Sequence, residues 1–173
     1  MAESWPDVLK PQELTISCVY NSRAFTSSLS NAQQVVSYPG AFWMCSVKFD
    51  ELSRYEERQL TALTGRLRGM SGTVNVPEMT RKRADNIGDV VVTLAQANAF
   101  AITLGGITVE GKAFDAGDRI TISGQMYEIT HDSNAAGGSA VVYVNKRVRS
   151  NIAPGTPVEY RNPYCEMRLT GDR

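Results

Sequence analysis

From position 13 onward the chain is a succession of short segments with alternating apolar side chains, separated by Gly, Pro, Asn and Asp, and this spacing limits the fold more than any other feature. "ITISGQMYEI" (120–129) is the sharpest case. With Gly124 and Gln125 as a two-residue loop, Ile122 opposes Tyr127, Thr121 opposes Glu128 and Ile120 opposes Ile129. Side chains alternate across a strand, so Ile120, Ile122, Tyr127 and Ile129 share one face, and Thr121 and Glu128 share the other. A slip by one residue would expose all four large apolar groups, at about 1.5–3 kcal/mol for each one left unburied. The hairpin therefore needs a core to lie against.

Other segments carry the same signal. "ELTISCVY" sets Leu14, Ile16, Cys18 and Tyr20 in one file. In "QQVVSYPGAFWMCSVKF" a Pro39-Gly40 turn is expected to separate a short strand from one on which Trp43, Cys45, Val47 and Phe49 line a face. Between these two stretches, "NSRAFTSSLSNAQQ" reads as a loop or weak edge pairing. "VNVP" is a short strand ended by Pro77, and "AVVYV" is a further strand after the glycine-rich "HDSNAAGGS".

One helix is expected, over about 53–68. Ser53 and Glu56 make a capping box, Leu60, Leu63 and Leu67 fall on one face with Leu52 and Tyr55 nearby, and Gly69 closes the end. Glu56 and Glu57 in the first turn and Arg66 and Arg68 in the last complement the helix dipole. Many short strands interrupted by one helix predict a mainly β fold: a β-sandwich or a partly closed β-barrel with the helix packed on it. With 173 residues, one domain over 13–173 suffices, preceded by an N-terminal arm over 1–12 that carries Pro6 and Pro11. The polar "TRKRADNIGD" reads as an exposed loop at about 79–89.

Eighteen basic residues balance eighteen acidic ones, which removes the simplest argument for a nucleic-acid or anionic-membrane partner. No apolar stretch reaches signal-peptide or membrane-spanning length, so a cytosolic protein without membrane insertion is expected. Cys18, Cys45 and Cys165 are far apart, odd in number and set in apolar segments, and read as reduced, buried thiols. His131 is the single histidine, in a turn, so neither a metal centre nor a His-dependent triad is expected. The glycine pairs at 105 and 137 lack the strand-to-helix context of a phosphate loop. Catalytic, cofactor-binding and metal residues are therefore all expected to be absent. Asp118 and Asp132 would be the first candidates for a carboxylate pair in a cell-wall enzyme.

The last third, from "FDAGDRITISGQMYEITHDSN" to "NPYCEMRL", resembles the C-terminal part of a group of tail proteins from tailed bacteriophages. Upstream, "YPGAFWMCSVKFDELSRYEERQLTALTGRLRG" resembles their Trp-bearing strand and helix, so the likeness runs from Tyr38 to Leu169. Its matched positions are Trp43, Leu63, Leu67, Gly69, Gly117, Asp118, Tyr127, Asp132, Gly138, Arg149 and Leu169; "VNKRVR" stands where a proline usually precedes the basic residue. The resemblance implies a structural virion protein of distal-tail or baseplate type, a homo-oligomeric ring that joins tail tube to fibres and contacts other tail proteins such as the hub. It would reside in the virion tail, and in the host cytoplasm during assembly. The segments expected to make contacts are the arm at Trp5, the basic loop at Arg81, Lys82 and Arg83, the glycine-rich loop at Asn134, and the basic Arg147 and Arg149. A soluble fold is expected to survive deletion of 1–12. Rival readings are a head-to-tail connector or tail-completion protein, a carbohydrate-binding module using Trp5 or Trp43, and an oligonucleotide-binding barrel using "RKR" and "NKRVR".

Overall fold

The computed structural model describes residues 2–172. In chain order, β1 (Glu3–Ser4) leads to two long strands, β2 (Glu13–Thr26) and β3 (Gln33–Lys48), then to α1 (Arg54–Leu67). After these come β4 (Val74–Pro77), β5 (Val91–Leu94), β6 (Ala101–Gly105), β7 (Gly111–Phe114), β8 (Arg119–Ile122) and β9 (Gln125–Glu128). The chain closes with β10 (Ser133–Ala136), β11 (Ser139–Tyr143), β12 (Val158–Glu159) and β13 (Tyr164–Met167).

The fold is mainly β with one α-helix, as its alternating segments require. Its sheets are open: β5-β6-β11-β10-β7, β12-β8-β9, β1-β4-β13 and the β2-β3 ribbon, none of them closed into a barrel. The main core lies between the five-stranded sheet and one face of β8 and β9, where Ile102, Leu104, Phe114, Ile120, Ile122, Tyr127, Ile129 and Val142 are all buried. A second cluster joins α1 to β4 through Leu9, Leu63, Leu67, Val74 and Val76. Trp43, Met126 and Cys165 form a third, against the other face of β9.

The β8–β9 hairpin puts Ile120, Ile122, Tyr127 and Ile129 in one core, but its turn is Ser123-Gly124 rather than Gly124-Gln125. Both turn residues have positive φ, 50° and 75°, the backbone hand that suits a two-residue hairpin between twisted strands. Ile122 consequently pairs with Gln125 and Ile120 with Tyr127. That is a shift of two residues from the expected pairing, and an even shift leaves every side chain on its face. The second face of β8 is buried too. There the Thr121 hydroxyl accepts from the Tyr164 backbone N–H at 2.7 Å, and Arg119 reaches Glu78.

The helix starts as its capping box requires, with the Ser53 hydroxyl accepting from the Glu56 N–H and the Glu56 carboxylate accepting from the Ser53 N–H. Arg68 and Gly69, at φ 50° and 70°, terminate it in left-handed backbone. Leu63 and Leu67 are buried and Leu60 half-buried, whereas Tyr55, placed by its spacing near the apolar face, is exposed. Residues 2–12 do not hang free. β1 pairs in parallel with β4, Leu9 is 1% exposed in the second cluster, and the Trp5 indole donates to the Leu9 carbonyl at 2.9 Å.

The largest departure from the sequence reading concerns "NSRAFTSSLSNAQQ" and Pro39-Gly40. The first, read as a loop or weak edge pairing, takes the second form: Asn21 to Thr26 pairs with Gln33 to Tyr38, and the chain reverses only over 27–32, where the Ser27 N–H donates to the Ala32 carbonyl at 2.9 Å. Pro39-Gly40 does not turn the chain. Val19 pairs with Phe42 and Asn21 with Tyr38, so Pro39, Gly40 and Ala41 together oppose Tyr20 as a bulge in a continuous β3. A bulge accommodates a proline, which has no N–H to give a ladder, and a glycine at φ 116°.

Candidate assembly interface

Beyond that bulge, from Asn21 to Tyr38, the β2–β3 ribbon makes no hydrogen bond or ion pair to the rest of the chain among the described residues. Every residue from 20 to 40 is exposed except the half-buried Val36. Its proximal half behaves differently: Leu14, Ile16 and Cys18 on β2 and Trp43, Cys45 and Val47 on β3 alternate inward against the body. One continuous hairpin thus has a rooted half and a projecting half, divided at Val19–Asn21.

The projecting half is unlike a solvated strand pair. Its 21 positions from 20 to 40 carry one charged side chain, Arg23, and both of its edges are unpaired. Register puts Tyr38, Val36 and Phe25 on a single face with Asn21, Arg23 and Gln34, while Ala24 and Val35 lie on the other among Ser and Thr. Leu29 stands at the tip, 99% exposed, and Phe25 and Val35 are 54% and 62% exposed. An isolated two-stranded hairpin is marginal in water, and exposed strand edges are normally guarded by charge. Both rules mark this ribbon as a surface meant to be covered.

The root is held from three sides. The Trp43 indole N–H donates to the Met126 carbonyl at 2.7 Å, the Arg119 guanidinium lies 4.9 Å from the Trp43 ring centroid, and an Arg149 N–H reaches the Ala41 carbonyl at 3.4 Å. Burial pushes the Cys45 thiol up to about 11, with Cys165 and Glu78 adding to the effect, and likewise raises Cys165 and Cys18. All three cysteines are free; Cys165 is buried, and Cys18 and Cys45 are half-buried.

The residues singled out from the sequence lie apart from the ribbon tip and do not form one patch. Trp5 is half-buried, its ring stacked with Phe49 at 6.4 Å between centroids. The 79–89 loop is strapped to the body: Arg81 donates to the Gly117 carbonyl and pairs with Glu128 at 3.2 Å, Arg83 pairs with Asp118 at 3.3 Å and lies over Phe114, and Ile87 is buried. Only Lys82 among the three basic residues forms no ion pair among the described residues. Asn134 is exposed on β10, and Arg147 covers the Phe100 ring and donates to the Asn98 carbonyl. Arg149 alone touches the ribbon, at its base. The signal that could have found the projecting ribbon was the shortage of charge between Tyr20 and Gly40.

Asp118 and Asp132 are engaged in turns. Asp118 accepts from the Asp115 N–H at 2.9 Å and from Arg83; Asp132 accepts from the Ala116 N–H at 2.8 Å and pairs with Lys112 at 3.1 Å. The Ala116 N–H and Lys112 hold the Asp132 carboxyl below the usual range, the reverse of what a general acid needs. Trp43 is buried, as its apolar run indicated. Among the described residues no helix is long and apolar enough to cross a membrane, and no group of three His, Cys, Asp or Glu is placed to hold a metal ion. In comparisons with known proteins, no protein-family model and no curated protein matches the chain.

Proposed function

We infer that this chain is a structural protein of a bacteriophage tail, a β-rich unit that repeats around the tail axis in a ring at the tip or baseplate and connects the tube to fibres. The observation that carries the reading is the projecting ribbon: a firmly rooted, nearly uncharged arm on a body whose basic 79–89 loop is tied down by its own ion pairs. Such a molecule acts by being gripped and gripping. The resemblance over Tyr38–Leu169 supports the same reading, because its matched residues fall in the body that carries the arm. A ring suits the arm, since a contact too weak to hold two copies becomes durable once many close on one another. The work of the protein on this reading is binding rather than turnover, within the virion tail and, during assembly, in the host cytoplasm.

The test is direct. Mass spectrometry of purified phage particles should find the chain at a fixed ratio to the tube protein, and electron microscopy with this chain labelled should place density at the tail end distal to the head. Absence from particles, or a label at the head-to-tail junction, would overturn the assignment to the tip.

A further inference from the structure

Beside the root of the ribbon lies an apolar groove of about 230 Å³ between β3 and the β4–β13 pair, lined among others by Trp5, Phe42, Met44, Val47, Met167 and Leu169. Of the side chains around it only Arg168 is charged. Phe42 and Met44 are 44% and 45% exposed there, on a strand that pairs on one side alone. The molecule therefore carries two uncovered features with little charge, an apolar slot and a largely polar arm on which Phe25, Leu29 and Val35 are the exposed apolar side chains near the tip.

The arm cannot fill its own slot. The groove runs along residues 42–47, and the ribbon continues away from it for seven paired residues, from Val19–Phe42 to Thr26–Gln33, roughly 23 Å at the rise of an extended strand. We propose that the ribbon tip, Phe25 through Val35, of one copy seats in the β3–β13 groove of the next copy, with Leu29 as the inserted side chain. This rests on the assembly reading for its occupant, a second copy. Arm and groove occur once each per chain, so a head-to-tail contact covers both on every member of a closed ring and leaves neither exposed. The scale fits a ring rather than an isolated pair: the tip from Phe25 to Val35 brings 11 residues, about half of one partner's share of a standard protein–protein interface, and ring closure adds to each such contact. The shortage of charge fits as well, because the centre of such an interface is depleted of charged residues and Arg23 and Arg168 are the only ones the two surfaces bring.

The experiment places the photo-crosslinking residue benzoylphenylalanine at position 29 in the full chain, mixes light and heavy-isotope copies, irradiates, and maps the adducts by mass spectrometry, both on purified protein and on particles. Adducts that join position 29 of one isotope to segments 42–47 or 167–170 of the other support the proposal. Adducts to another surface or to a different tail protein, or no copy-to-copy adduct in either setting, overturn it. In parallel, Leu29→Asp should weaken self-association at least about tenfold with an unchanged circular-dichroism spectrum and melting point. Unaltered association of that variant counts against the proposal. The two readings separate cleanly: mapped adducts from a chain missing in particles would sink the tail assignment alone, whereas a particle protein whose position 29 marks a different chain would sink the docking alone.

Discussion

Arg119 and Glu78 form an ion pair sealed inside the molecule, with side chains 7% and 0% exposed, at the point where the ribbon root, the loop after β4 and the β8–β9 hairpin meet. Arg119 also pairs with Glu128 at 3.1 Å and lies over the Trp43 ring; Glu78 accepts from the Thr80 N–H at 2.7 Å; Arg81 joins Glu128 from outside. Two guanidinium groups and two carboxylates thus close a neutral network around the strand that carries the arm. Removing Glu78 leaves the buried Arg119 with a partly exposed carboxylate, Glu128, which it shares with Arg81. Glu78→Gln is expected to cost about 3–5 kcal/mol, read from the urea midpoint, and the apolar double replacement Glu78→Leu with Arg119→Met to recover most of that loss.

The same carboxylate sets a pH dependence. Burial alone would raise Glu78, but hydrogen bonds from Thr80 and the charge and hydrogen bond of Arg119 outweigh it and hold the group below its ordinary value. A depressed folded value means that the unfolded chain binds the proton first. The stabilisation is therefore complete above the ordinary glutamate range and disappears as pH falls through the lower, folded value. Unfolding free energies of the native chain and Glu78→Gln, measured at successive pH values, should converge in acid and separate toward neutrality.

Lys146 is 2% exposed, and its ammonium meets the Gln125 side-chain carbonyl at 3.2 Å and the Tyr127 ring at 4.9 Å, with no carboxylate among the described residues within ion-pair distance. Desolvation lowers its affinity for the proton, with Arg149 adding to the effect against an opposing contribution from Cys165 and Cys18. A buried charge without a counter-charge is a liability, so Lys146→Met, similar in length, should raise stability by about 1 kcal/mol. Thermal denaturation near neutral pH would show it, and the gain should shrink in alkali, where the folded lysine loses its proton before the unfolded one does.

The N-terminal segment gives a fourth test. Leu9 is buried against Leu63, Leu67 and Val74, so Leu9→Ala is expected to cost about 2–5 kcal/mol, and deletion of residues 1–12 to expose the second core cluster as well as to remove β1. Increased dye binding by the truncated protein would report the exposed cluster. The sequence-based expectation was that deletion of 1–12 leaves a soluble fold and impairs assembly. Pro6 and Pro11 suggested an arm or a strap across the surface, and β1, Trp5 and Leu9 hold it as a strap.

What the sequence made legible were features that depend on near neighbours: the capping box at Ser53, the inward file of Leu63 and Leu67, and the shared face of Ile120, Ile122, Tyr127 and Ile129. The hairpin turn was misplaced by one position, yet the face assignment held because the pairing changed by an even number of residues. Pairing partners far apart in sequence left no such trace. Nothing in "VNVPEM" indicates that Glu78 waits for Arg119, forty-one positions on. The ribbon was missed for a different reason: Ser, Asn and Pro-Gly are loop signals in a strand supported by a core, and here they occupy a strand pair that has no core beneath it.

That absence of support gives the last prediction. Val19 and Phe42 are register partners at the edge of the body, so replacing residues 20–41 with Asn-Gly joins them by a two-residue turn and deletes, apart from the half-buried Ala41 whose carbonyl accepts from Arg149, only exposed chain and the half-buried Val36. Stability should change by no more than about 0.5 kcal/mol, the level of a surface substitution, because no buried side chain is lost. Amide exchange in the native protein should agree, with fast exchange over 20–40 in the monomer and protection from Glu13 to Val19 and from Phe42 to Lys48. Assembly should respond in the opposite sense: the shortened chain should stay monomeric in light scattering and fail to restore tails in a strain lacking the gene. A shortened protein that unfolds would mean that the ribbon supports the body, and one that still assembles would mean that the contacts lie elsewhere.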